Sequence, residues 1–224
     1  MGMTGPVGYP VEPRPKKRAA WVTGGITIVT FVALLYVVEV VNQLTGDRLD
    51  NNGIRPLEAD GLWGIIWAPL LHASWQHLIA NTVPALILGF LMTLAGLSRF
   101  VFATAFIWII GGFLTWLFGE VGSTCGTNFN IIGASGLIFG WLTFLLVFGW
   151  FTRNFWEIIV GLIVLFVYGG ILWGAVPVSG CTGISWQGHL CGGVAGVLAA
   201  YLLSRPERRA REQRKRGTQP YLTK

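Results

Sequence analysis

The chain has 224 residues, of which 53% are hydrophobic and 12% charged, with a mean hydropathy of +0.61. That balance excludes a soluble domain of this size and indicates an integral membrane protein, which the apolar segments below make an all-α polytopic one. A formal net charge of +6 raises the question of nucleic acid, but the basic residues gather in two juxtamembrane tails where topology and anionic lipid account for them, so no nucleic-acid role is assigned.

Residues 1–20 contain four prolines and a basic run, with too little apolar surface to fold alone, and read as a disordered basic cytoplasmic tail. Apolar segments of roughly twenty residues, the length that crosses a ~30 Å hydrocarbon core, follow at 21–41, 76–97, 100–118, 133–151, 155–174 and 187–204. They make one six-helix membrane domain over 21–204, and 205–224 is a second basic cytoplasmic tail. The first apolar stretch follows a long polar tail and lacks a small-residue cleavage site, so it reads as a transmembrane helix and not a signal peptide.

An even number of spans puts both ends on one side. Arg14, Lys16, Lys17 and Arg18 precede the first span and a run of seven Lys and Arg follows the last, while Arg99 and Arg153 lie in the short loops of that same side. The positive-inside rule makes that side cytoplasmic in a cell membrane. The loop 42–75 lies outside; Leu62, Trp63, Ile65, Ile66, Trp67 and Trp75 make it too apolar for a solvated linker and place it on or in the outer interface.

Polar side chains are costly at membrane depth, so each needs a reason. In "HASWQHLIAN", His77 and Asn81 are four apart and share a helix face. His72 is five before His77, about 140° around a helix, and near the interface where the helix need not yet have begun, and is not expected in the same contact. In "GHLCGGVAG", His189 shares a face with Gly192 and Gly196; in span four, Gly136 and Gly140 form the matching small-residue pair, with Ser135 beside it and Gly133 just before. A close crossing of spans four and six would bring Ser135 within reach of His189.

A serine beside a histidine is an activated nucleophile, the imidazole taking the hydroxyl proton. His77, Asn81 and the backbone N–H of Ser135 at a helix N-terminus could then hold an oxyanion. All these groups fall in early turns of spans entering from the outside, so the site is expected to open to the extracytoplasmic side.

Through "GASG" in span four, "HASWQHLIAN" in span two and "GHLCGGVAG" in span six, the chain resembles the rhomboid intramembrane serine proteases over about residues 20–205. The resemblance implies a six-transmembrane-helix bundle in which Ser135 is the nucleophile, His189 its base, and His77 and Asn81 the oxyanion donors. It also implies cleavage in or near transmembrane segments of protein substrates entering laterally, with membrane lipids around it. Phe139 stands where some bacterial members have a tyrosine that stacks on the histidine, and the first loop has no Trp-Arg pair. No cofactor or metal is implied: three histidines without HExxH or matching acidic ligands are a poor metal or haem site.

The competing readings are a catalytically silent relative that binds membrane clients, and a small transporter using the histidines and Glu39, an acid deep in span one whose simpler explanation is a hydrogen bond within the bundle or snorkelling. Residues 174–187, rich in glycine and free of charge, form a movable cover over the site. Cys125 and Cys181 occupy the loops leading into the two helices that must meet, and are either bridged, tying the cover down, or free thiols. Substrate identity and oligomeric state are not legible.

Overall fold

The computed structural model describes residues 19–119, 130–177 and 185–217. It is nearly all helical, and among the described residues there is no strand, only an isolated antiparallel bridge between Ile54 and Ile131. Helices stand at each predicted span: α1 Ala20–Leu44, α2 Trp75–Leu94, α3 Leu97–Phe118, α4 Ser135–Thr152, α5 Phe155–Ala175 and α6 Trp186–Leu203. A further helix, α7 Arg205–Gly217, occupies the stretch read as a tail. α1 to α5 are long and apolar enough to cross a membrane. α6 is an 18-residue helix whose first turns carry Gln187, His189 and several glycines, which is why its composition is the least apolar of the six.

The helix boundaries have local causes. The side chain of Ser74 accepts the His77 N–H at 3.2 Å and starts α2, that of Asn154 accepts the Trp156 N–H at 3.1 Å and starts α5, and that of Ser185 accepts the Gly188 N–H at 3.1 Å and starts α6. Each satisfies an amide that the helix itself leaves open. α3 contains a π-helical turn at Ile107–Gly111, and α5 ends in 3-10 turns over Gly169–Ala175.

α4 is the most deeply embedded span, with Trp141, Leu142 and Phe144 fully buried. α6 lies against it so closely that glycine is required: a Cβ on Gly192 would come 2.0 Å from the Gly136 carbonyl oxygen, and one on Gly196 would come 2.1 Å from that of Gly140. Thr143 Oγ1 donates to the Gly193 carbonyl at 2.7 Å across the same contact. α1 packs on α2 through Gly24 against Thr93 and through a 3.0 Å hydrogen bond between the Tyr36 and Thr82 hydroxyls. α5 is the least embedded span, seated on α4 where Gly149 meets Glu157 and Gly161 meets Leu145 and Leu146.

The first loop is a chain of short helical turns laid against α3. Trp108 Nε1–H donates to the Ile65 carbonyl at 2.9 Å and Trp116 Nε1–H to that of Glu58 at 2.8 Å. Ile65 is buried while Trp63 is 73% exposed, so one face of the loop packs and the other presents an indole, as an interfacial loop would. Arg55 there is ion-paired with Glu58 and Asp60, which neutralises it locally. Glu39 is buried in α1, where Gln43 Nε2 donates to Oε1 at 3.3 Å while Oε2 has no hydrogen-bond partner among the described residues, so the bundle satisfies this acid only in part.

Candidate active site

The glycine contact between α4 and α6 fixes what lies one residue from it. Ser135, the first residue of α4, has its Oγ 2.8 Å from His189 Nε2 on α6. The other ring nitrogen, Nδ1, is 2.9 Å from the Gly174 carbonyl oxygen at the end of α5. A carbonyl only accepts, so Nδ1 carries the hydrogen and Nε2 presents its lone pair to the serine hydroxyl. The imidazole is thus held in the tautomer that can take a proton from Ser135.

Phe139, one turn below Ser135, stacks on that imidazole with centroids 4.3 Å apart and ring planes 11° from parallel. Gly174 lies against both rings: a Cβ there would be 3.1 Å from His189 Nδ1 and 3.2 Å from Phe139 Cζ. The ring is therefore fixed by a stack on one face and hydrogen bonds at both nitrogens.

His77 and Asn81 line the same cavity of about 540 Å³ as Ser135 and His189. Asn81 is 7% exposed and its Nδ2 is buried with no hydrogen-bond partner among the described residues, an unspent amide donor on a residue that lines the cavity. Gly133 passes directly over His77. Its φ of +124° and the 2.7 Å separation between a notional Cβ and His77 Cε1 admit only glycine, and its N–H donates to the Ala68 carbonyl at 2.8 Å. α4 begins at Ser135 without a side-chain cap, leaving first-turn N–H groups beside the serine.

His72, not expected in the contact of His77 with Asn81, packs beside His77. α2 starts only at Trp75, and the extended residues before it bring the His72 ring to 5.1 Å, edge-on, from that of His77. His72 is 1% exposed, and Ala134 N–H donates to its Nε2 at 3.4 Å. Burial above all, then the neighbouring His77, pushes its pKa down to about 3 against a weaker upward pull from the Leu70 backbone, so it is a neutral acceptor holding the turn that leads into Ser135.

The Gly174 carbonyl was also not foreseen, and could not be: every residue type carries one. Cys125 and Cys181 lie outside the described residues, as does the middle half of the cover segment before α6; Cys191 is buried. Among the described residues no group of three His, Cys, Asp or Glu could hold a metal ion.

This serine-histidine geometry, in a bundle of apolar helices, can be compared with known proteins. The chain is 67% identical over 218 residues to an uncharacterized protein of Mycobacterium tuberculosis (strain ATCC 25618 / H37Rv), covering 96% of this chain and 90% of that one. It is 60% identical over 213 residues to an uncharacterized protein of Mycobacterium leprae (95% and 84%). It is 32% identical over 137 residues (61% and 72%) to a protein of Acanthamoeba polyphaga mimivirus named as a rhomboid protein. Residues 59–206 match the Rhomboid domain, a stretch that runs from the first loop through α6. The chain is a multi-pass membrane protein and belongs to the rhomboid family.

Proposed function

We propose that the protein is an intramembrane serine endopeptidase that cleaves transmembrane protein substrates through Ser135 and His189. The observation that carries this reading is the 2.8 Å contact between Ser135 Oγ and a His189 Nε2 whose lone pair is turned to it by the Gly174 carbonyl. A serine placed only for helix packing needs no imidazole in that tautomer.

In the proposed reaction Ser135 Oγ attacks the scissile carbonyl carbon as its proton passes to His189 Nε2. The carbonyl oxygen gains the negative charge, held by Asn81 Nδ2–H, a His77 ring N–H and the Ser135 backbone N–H. His189 then protonates the leaving amine, the C–N bond breaks, and an acyl ester remains on Ser135. Water gives its proton to His189, attacks the ester and releases the carboxylic product, returning the proton to Ser135. The Phe139 stack holds the imidazole plane through both half-reactions.

The orientation follows from the charges. Arg99, Arg153 and the Arg-rich α7 cluster at one end, joined by the Arg99–Glu207 ion pair and by Arg211 against the Thr152 and Arg153 carbonyls. Ser135 and His189 lie at the opposite ends of α4 and α6. With the basic end cytoplasmic, the site opens to the extracytoplasmic side.

Labelling of the full-length protein in mild detergent with a serine-directed phosphonate tests the assignment. Wild type should form one covalent adduct on Ser135 and cleave a transmembrane reporter. Ser135→Ala and His189→Ala should do neither while keeping the wild-type circular dichroism. A folded wild type that neither labels nor cleaves would make the chain a silent client-binding member of the family.

A further inference from the structure

Helix α7 carries seven Lys and Arg against two Glu over Arg205–Gly217, and like charges one turn apart repel. It is held to the bundle by few contacts: Glu207 pairs with Arg99, and Arg211 Nη1 donates to the carbonyls of Thr152 and Arg153 at 3.4 Å. Glu207 and Arg211 are four apart and so occupy one face.

Two other arginines point elsewhere. The Arg205 and Arg208 guanidiniums lie over the ring of Tyr201, 5.6 and 5.0 Å from its centroid. Among the described residues neither has a carboxylate partner. Tyr201 itself meets Phe151 edge-on, is 41% exposed near the end of α6, and closes an outward stripe of Leu190, Val194 and Leu198. The spacings of four, four and three along that stripe continue as four and three to Arg205 and Arg208, with helical bonding carried across by Arg208 N–H to the Ser204 carbonyl at 3.1 Å. An apolar track thus runs along the exposed side of α6 and ends, at the basic end of the bundle, in an aromatic ring under two guanidiniums without a carboxylate partner, where an interfacial aromatic is expected.

We infer that Tyr201, Arg205 and Arg208 form a binding site for an anionic phospholipid, the two guanidiniums donating to its phosphodiester while its acyl chains lie along Leu190, Val194 and Leu198. The guanidiniums are held over one aromatic ring and so pre-organised for a phosphate's oxygens, which favours a headgroup over diffuse attraction. The track below them favours a lipid over a free phosphate or an acidic peptide, neither of which has chains to fill it.

The test uses the full-length protein in a neutral detergent, with bound molecules counted by native mass spectrometry. It is titrated with short-chain phosphatidylglycerol, phosphatidylcholine of the same chain length, and inorganic phosphate. Phosphatidylglycerol should bind and the other two should not. Arg205→Gln/Arg208→Gln should weaken phosphatidylglycerol ~25-fold, from about fivefold per arginine near a membrane surface. Tyr201→Ala, which leaves the charge intact, should weaken it several-fold, and it carries the test by itself should the double variant fail to fold. Equal affinity of wild type for phosphatidylcholine, equal competition by inorganic phosphate, or unchanged phosphatidylglycerol affinity in Tyr201→Ala would overturn the site.

Discussion

Gly192 and Gly193 are neighbours on α6, yet the same substitution at each should have opposite outcomes. A Cβ on Gly192 would lie 2.0 Å from the Gly136 carbonyl oxygen, whereas one on Gly193 would meet only Thr143 Cγ2 at 3.4 Å, an ordinary contact. Restoring 3.4 Å at Gly192 requires α4 and α6 to separate locally by about 1.4 Å. His189 is one turn from Gly192 and Ser135 is adjacent to Gly136, so their 2.8 Å contact would open to roughly 4 Å, beyond hydrogen-bond reach. A displacement of that size costs on the order of 10² in rate, and the overpacking costs about 1–3 kcal/mol of stability. Reporter cleavage and phosphonate labelling, each normalised to folded protein from thermal melts, measure both. Gly193→Ala should stay within about threefold of wild type. Wild-type labelling by folded Gly192→Ala would refute the claim that this glycine contact sets the distance between nucleophile and base.

Three further outcomes follow from the same geometry. Asn81→Ala should lower kcat by on the order of 10² to 10³ with little change in KM, because its Nδ2 donor has no other duty among the described residues; a loss confined to thermal stability would make Asn81 structural. Phe139→Tyr should retain activity and Phe139→Ala should lose most of it, since only the former keeps the stack on His189; equal activity of the two would remove the stacking argument. Asp50, at the loop end of α1, has its pKa pushed up to about 6 by burial and then by Glu39 and Asp47, against the lowering hydrogen bond from Asn42. Its folded value lies above the unfolded one, so its contribution to stability is full below about pH 4 and lost as pH rises through about 6. Asp50→Asn should therefore stabilise the protein at pH 7 by on the order of 1 kcal/mol, allowing for solvent screening of this partly exposed group, and leave it unchanged near pH 4; equal melting shifts at both pH values would contradict this.

Hydropathy located the six apolar helices to within a few residues because bilayer thickness imposes a length that composition reveals. The meeting of Ser135 and His189 was legible for a different reason: glycines at matched spacing on two helices specify a close crossing, and the polar residues stand next to them. What escaped was set by backbone. His72 precedes the Ser74 cap, where no helical angle relates it to His77, so their ring contact has no periodic signature in the sequence. The Gly174 carbonyl has no residue-type signature. α7 was read as a tail because it is a basic stretch past the last apolar span, and the contacts that hold it, Arg99 with Glu207 and Arg211 with a turn in another loop, join residues far apart in sequence.

The acceptor that orients His189 belongs to the last turns of α5, the span with the least of its surface packed against the rest. A tilt of that end by even an ångström would release Nδ1, and the ring could then carry its hydrogen on Nε2 and present a donor to Ser135, unable to take its proton. In the proposed mechanism, competence of the base is thereby linked to the position of the span least packed against the rest. An imidazole nitrogen resonance of His189, which differs between protonated and bare ring nitrogens, would report where that helix stands.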